Sequence, residues 1–406
     1  MPTFAPCFGG KLMIIDPAAE TAKYLATLPP EVHAKATAYT QGGHWLLLWG
    51  TLAAIVVAWL IVRSGVLVKI RSGVERRRTR PWLAVLAVVP VALLMESILG
   101  LPWAAYSNWW REKSYGMTSQ PFGGWLGEQA MGAVIGLIAM TVLMLLVYWL
   151  MRRARKTWWL WAGGVTAGFM IVAMLLAPTY ILPLFNTYTP APQGPVRDAV
   201  VELARANGVP SDKIFVFNGS KQSNRYTANV TGLFGSAQIN ISDTMLKAGA
   251  DMSEIRAVVG HEIGHYALGH IFRSVGVMAV LCVIGFWLMD RLFPLACRLL
   301  GAHDVKGISD PAGYPVFSML LAILFLLATP VTNTVTRMGE AEADNYSLRV
   351  ANEPDGLAKA LVQTVEYRAA TPGKLEEVIF YSHPSVSWRV RNAMEWKARR
   401  QPSTPR

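Results

Sequence analysis

Charge is what this chain is short of. Only 16% of its 406 residues are Asp, Glu, Lys or Arg, while 53% are hydrophobic; soluble domains carry roughly 25% charged residues. An ordinary soluble protein is excluded, and a membrane protein with a modest soluble part is expected. Cysteine is scarce as well: Cys7, Cys282 and Cys297 are the only ones, and their spacing matches neither a metal motif nor a disulfide framework. The first forty residues lack a basic start followed by a short apolar run and a cleavage site, so no cleavable signal peptide is expected. Acidic residues number 26 against 38 basic ones, a net charge of +12. The excess sits in short loops beside apolar segments, "RSGVERRRTR" (71–80) and "RRARK" (152–156), which is how membrane topology is encoded. A nucleic-acid partner is therefore not expected. No internal repeat is apparent, and only the tail "RRQPSTPR" reads as disordered.

What the chain does have is apolar runs of about 20 residues, the length that crosses a bilayer as a helix. Six qualify, at approximately 44–63, 81–101, 130–151, 157–184, 273–294 and 314–333. The implied layout is an N-terminal extramembrane segment (1–43), a four-helix membrane region (44–184), a first soluble part (185–272), a membrane helix pair (273–335) and a second soluble part (336–406). The fold class is mainly α, a polytopic membrane protein with about six transmembrane helices and a small β-sheet. "YSNWWREKSYGMTSQPFGGW" (106–125) reads as an aromatic interfacial loop. Glu96 lies inside the second run, where a carboxylate is costly, as a functional candidate or as a residue facing water or a neighbouring helix. In the first soluble part, a helical pattern "PVRDAVVELARANG" precedes three candidate strands, "KIFVFN", "YTANVTGLF" and "AQINIS". Asp251 with Glu254 three residues on marks the start of the next helix.

That helix contains "HEIGH". His261 and His265 stand one turn apart on one face, able to grip a single zinc ion, with Glu262 beside them as a base. Chance alone puts such a pentapeptide in roughly one chain of this length per hundred, so context decides. His270 lies nine residues past His261, about 180° around a continuous helix. It cannot complete the site from that helix and reads as a structural or substrate-side residue. Tetrahedral zinc still lacks a protein ligand, and candidates lie in "TNTVTRMGEAEADNYS", after the sixth run. As a helix this segment puts Asn333, Arg337, Glu340 and Asp344 on one stripe, with Glu342 turned away by about 200°. Glu340 is the better ligand, and Asp344 is placed to hydrogen-bond a ligand histidine. Two membrane crossings separate the halves, so both return to one membrane face.

Taken together, "ILPLFNTYTP", "GSKQSNRYTANVTGLFG", "ISDTML", "HEIGH", "NTVTRMGEAEAD" and "SHPSVSWR" resemble the integral-membrane type I CAAX prenyl proteases and their bacterial relatives, gluzincin-type metallopeptidases. The resemblance implies a hollow helical barrel whose site faces an enclosed chamber, and one Zn2+ held by His261, His265 and Glu340. It implies Glu262 as general base, Asp344 behind the ligands, His383 as a donor to the oxyanion and Arg389 for structure or substrate. It also makes Thr227, Ala228, Asn229 and Val230 the strand along which an extended peptide pairs by its backbone. The expected partner is a peptide or protein substrate, prenylated or membrane-associated, together with membrane lipid.

Two features depart from the family pattern. Arg225-Tyr226-Thr227-Ala228-Asn229 stands where eukaryotic members carry His-Ser-Asn-Ala-Tyr, and six spans are expected where those enzymes have seven. Two other readings compete: a quality-control protease of membrane proteins with no prenyl requirement, and a transporter or binding protein with an incidental metal motif. Against the second, charged residues cluster in the two soluble ligand helices and are sparse within the spans. The expected setting is a bacterial inner membrane. Basic loops after the first and third spans put the soluble part outside by the positive-inside rule, whereas the eukaryotic relatives face the cytosol, so the side of the site stays open.

Overall fold

The computed structural model describes residues 15–77, 80–232, 237–247 and 251–400, except the side chains of Lys247 and Glu366. Cys7, the end of the strand pattern "YTANVTGLF" and most of "RRQPSTPR" lie outside the described residues. Six helices are long and apolar enough to cross a membrane: Pro30–Ser64, Pro81–Ser114, Phe122–Arg153, Trp158–Phe185, His270–Leu300 and Pro311–Val350. Their outward faces carry large apolar side chains, such as Trp45 (60% exposed) and Trp49 (55%) in the first. So contiguous an apolar surface suits lipid and not water.

The helices extend well past the apolar runs because polar sequence continues the same periodicity. Beyond the second run, residues 106–114 were expected as loop. Instead the helix continues through a π-turn at Tyr106–Trp110 into Arg111–Ser114. Pro102 removes one backbone donor just before that turn, and wider i→i+5 pairing lets the helix run on. A second π-turn, Ala177–Ile181, contains Pro178 and carries the fourth span to Phe185.

The membrane core joins the second to sixth spans through Val88, Val147, Tyr148, Trp158, Met289 and Phe317, all essentially solvent-free. Glu96 accepts a hydrogen bond from the Ser318 hydroxyl of the sixth span, so it faces a neighbouring helix.

The soluble part is built on a mixed four-stranded sheet. Strands β1 (Tyr188–Pro190), β2 (Ile214–Phe217), β3 (Ala228–Thr231) and β4 (Gln238–Ser242) lie in the order β1-β2-β4-β3. β1 runs antiparallel to β2, β2 parallel to β4, and β3 antiparallel to β4. β3 is thus an edge strand, with no second partner among the described residues. The helix Met252–Ala267 packs on this sheet through Ile255, Val259 and Ile263, spaced one turn apart. Ala257, on another face, belongs to a second core with Leu348, Leu357, Leu361 and Val390. Ala36 of the first span joins that core, fastening the membrane region to the soluble part.

Candidate active site

The Met252–Ala267 helix begins as the sequence suggests: the Asp251 side chain accepts from the Glu254 backbone N–H at 2.9 Å. Two glycines then decide how closely it approaches the sixth-span helix. A Cβ on Gly260 would lie 3.1 Å from Ser347 Oγ, and one on Gly264 would lie 3.0 Å from Tyr346 Cβ. With no side chain at either position, His261 and His265 meet the stripe carrying Glu340 and Asp344.

The contact is a triangle of side chains. His261 Nε2 lies 3.1 Å from His265 Nε2, and Glu340 places Oε2 3.3 Å from His261 Nε2 and Oε1 3.3 Å from His265 Nε2. A tetrahedral ion with ligands at about 2.0–2.1 Å has ligand–ligand edges of roughly 3.3–3.4 Å. Each Glu340 oxygen approaches a different imidazole, one ligand atom from each of the three residues lies within 4.8 Å of the others, and a two-nitrogen, one-oxygen set suits zinc.

Behind the triangle each histidine is held from its other nitrogen. His261 Nδ1 meets Asp344 Oδ1 at 2.9 Å. Asp344 is fully buried and also accepts from Arg389, at 2.7 Å from Nε and 2.6 Å from Nη2. Burial disfavours a charged imidazole at His261, but the Glu340 and Asp344 carboxylates outweigh it and hold the group up at about 10. Glu262 is raised by burial, against the lowering pull of His261 and His265.

His270 overturns the geometry assumed for it. The helix breaks at Gly269, which takes a left-handed φ of 65°, and the chain restarts at His270. The turn brings His270 Nδ1 within 2.9 Å of His265 Nδ1. His270 Nε2 meets Glu342 at 2.8 Å, and Arg273 holds the same carboxylate at 2.8 Å. His270 and Glu342, the residue turned away from Glu340, thus back up His265 as Asp344 backs up His261.

Asn333 and Arg337 lie on the predicted stripe but serve a different segment. Asn333 donates to the Ile379 carbonyl at 2.9 Å, and Arg337 to the carbonyls of Glu377 and Tyr381. They pin the chain that leads into "SHPS". His383 Nε2 accordingly reaches Glu340 Oε1 at 3.3 Å. Burial, reinforced by the Arg368 guanidinium, pushes His383 down to about 3 and keeps its ring neutral.

These groups share one cavity of about 200 Å³, lined by His261, Glu262, Glu340 and His383 with Thr227 and Ala228. Asn229 is occupied within the sheet, accepting from Asn240 at 2.9 Å, and Val230 packs against the sheet core. The cavity also exposes Arg368 and Tyr367, which no motif in the sequence signals.

Comparison with known proteins accounts for both halves of the molecule. Residues 190–397 match peptidase family M48, and residues 18–187 match the CAAX prenyl protease N-terminal region of five membrane helices. Within 18–187 the structure has four helices of spanning length and the 12-residue helix Val66–Arg77. An uncharacterized metalloprotease of Bacillus subtilis, YhfN, is 28% identical over 90% of this chain and 86% of its own. The Arabidopsis thaliana CAAX prenyl protease 1 homolog is 27% identical over 83% and 78%. The crystal structure of S. mikatae Ste24p shares the fold, with a TM-score of 0.73, 23% identity and coverage of 93% of this chain and 95% of that one. The HExxH helix and the membrane helices that carry it are thus matched as one unit, and the chain belongs to peptidase family M48 as a membrane-embedded metalloprotease of the CAAX prenyl protease type.

Proposed function

We propose that the chain is a zinc-dependent endopeptidase, cutting peptide bonds of membrane-associated proteins in a cleft that opens into a chamber among the membrane helices. The meeting of His261, His265 and Glu340, whose two carboxylate oxygens each approach one imidazole at 3.3 Å while the imidazoles stand 3.1 Å apart, carries the reading. These three would hold one ion. The chemistry such an ion supplies when bound is polarisation of the scissile carbonyl and a bound water acidic near pH 7.

The remaining work falls to side chains. Glu262 takes the water's proton at its carboxylate and passes it to the leaving amine. Burial raises its affinity for that proton without fixing it there, which suits a base that must also act as an acid. His383 donates to the oxygen that gains negative charge. Asp344 and Arg389 fix the ring of His261, and His270 with Glu342 fixes that of His265. The free edge of β3 offers backbone groups to an extended substrate, so Thr227 to Val230 set its direction.

The CAAX prenyl protease relatives point to prenylated C-terminal peptides. A broader substrate range is favoured by Arg225 just ahead of β3, a charged group tied at 2.7 Å to Glu112 of the second span where eukaryotic members have a histidine. Matched farnesylated and unfarnesylated peptides, offered to the zinc-loaded protein with a chelator control, separate the two. Glu262→Gln should keep zinc and the fold yet lose cleavage; a variant that still cuts at the parental rate would sink the assignment.

A further inference from the structure

Three guanidinium groups gather around the cleft, and two are neutralised. Arg225 faces Glu112 at 2.7 Å, and Arg389 faces Asp344 at 2.6 Å and Glu340 at 3.4 Å. Arg368 has no carboxylate within ion-pair distance among the described residues. Its nearest polar contact is His383 Nε2 at 3.3 Å, and its guanidinium carbon lies 5.3 Å from the centre of the Tyr367 ring. Arg225 flanks the same ring at 5.2 Å. Arginine cannot shed its proton in a protein, and a guanidinium taken from water without an anion is costly. Burial lowers the proton affinity of Arg368, with Tyr367 and the Glu340 carboxylate pulling against it and the positive charges of Arg389 and Arg225 adding to it. A guanidinium with no ion-pair partner among the described residues, on the wall of a cavity that also contains Glu262 and His261, can take an anion from outside.

Position narrows the anion further. His383 Nε2 touches both Arg368 and Glu340, so the guanidinium is one imidazole away from the candidate ligand triangle. Thr227 and Ala228 line the same cavity, so a peptide paired along β3 would pass Arg368 close to its scissile bond. A carboxylate matches the planar fork of donors better than any other group a peptide carries.

Building on the peptidase reading above, we infer that Arg368 is a specificity-determining residue that binds a carboxylate of the peptide substrate beside the bond to be cut. The carboxylate is either the free C-terminus or an Asp or Glu side chain. Charge-assisted hydrogen bonds of this kind correspond to about 10- to 100-fold in affinity.

The test uses the full-length, zinc-loaded Glu262→Gln protein, which should bind peptides without cutting them. One peptide sequence is offered as free acid, as C-terminal amide, and as amides with a single Glu at successive positions. The free acid or one of the Glu-containing amides should bind about 10- to 100-fold tighter than the neutral amide, and which one does identifies the source of the carboxylate. Arg368→Gln should collapse that ratio to near one, and Arg368→Lys, a check on folding that keeps the charge, should retain part of it. Equal binding of all peptides by the parent overturns the inference. So does Arg368→Gln weakening every peptide equally, which would make Arg368 a positioning residue for His383. Cleavage of the same peptides by the protein with Glu262 intact separates the two readings. Zinc-dependent cutting without carboxylate preference refutes only this inference, whereas no zinc-dependent cutting refutes the peptidase reading beneath it.

Discussion

Gly264, the glycine of "HEIGH", offers the sharpest test of how the site is assembled. In Gly264→Ala the new Cβ would stand 3.0 Å from Tyr346 Cβ, 3.2 Å from Ala343 Cα and 3.3 Å from the Ala343 carbonyl oxygen. Carbon atoms rest comfortably at about 3.5–4.0 Å, and two of the three obstacles are backbone, which no rotamer change removes. The HExxH helix and the sixth-span helix must therefore part by roughly 0.3–0.5 Å. Gly264 adjoins His265, and Ala343 lies three residues past Glu340, so the movement that relieves the clash draws Glu340 away from the histidines. Metal–ligand distances tolerate only about 0.2 Å. Zinc affinity should fall by about 10- to 100-fold, with a loss of about 1–3 kcal/mol from overpacking. Competition against a chromophoric chelator reads the first, and thermal unfolding in detergent with and without zinc reads the second. Gly276→Ala is the control, because a Cβ there meets nothing within 4 Å. If Gly264→Ala bound zinc as tightly as the parent, the ligand set assigned to these two helices would be wrong.

Asp344→Asn removes the nearer of the two carboxylates that face buried Arg389, the one that also orients His261. Weakening charge-assisted hydrogen bonds to a buried guanidinium costs about 1.5–3 kcal/mol, so the melting temperature of the metal-free protein should fall by several degrees; an unchanged value would refute the pairing. Metal uptake should also release a proton. Because His261 is held up at about 10, it carries a proton at neutral pH that a bound cation displaces. Zinc affinity should then rise about tenfold per pH unit between about pH 6 and 8. Titration calorimetry in buffers of different ionisation enthalpy measures the release, and affinity independent of pH would count against it.

The parts of this molecule legible in the sequence are those fixed by helix periodicity. The i, i+4 spacing of His261 and His265 and the stripe from Asn333 to Asp344 follow from 3.6 residues per turn. The structure accordingly brings His261, His265 and Glu340 together. The apolar runs likewise locate the helices, because bilayer thickness sets their length. What periodicity could not supply is where a helix stops. A continuous helix puts His270 on the far side, and the left-handed break at Gly269 puts it against His265. The π-turn at Tyr106–Trp110 did the reverse, continuing a helix through residues whose composition reads as loop. Arg368 was out of reach for a third reason. It follows the short 3₁₀ turn Thr364–Tyr367 in extended backbone, and its significance lies in lacking a carboxylate partner among the described residues. A missing partner is a property of the packed molecule and leaves no pattern in a sequence.

The His270 clamp also explains how a site divided between two segments 75 residues apart can stay in register. Glu340 and Asp344 belong to one uninterrupted helix, Tyr314–Val350, so their position follows rigidly from the sixth span. His261 and His265 are separated from the fifth span by the left-handed break at Gly269, so helix continuity alone does not fix the HExxH helix relative to that span. Glu342 closes that joint: it projects from the sixth-span helix and binds His270 and Arg273, the first and fourth residues of the fifth-span helix. His270 in turn contacts His265. The HExxH helix is thereby tied to the same helix that carries Glu340, and side-chain contacts join the three candidate ligands to the fifth- and sixth-span helices. Strain in the membrane helices would then reach the three candidate ligands directly, while the β-sheet packs on Ile255, Val259 and Ile263 of the HExxH helix and brings Ala228 of β3 to the cavity that holds His261 and Glu262.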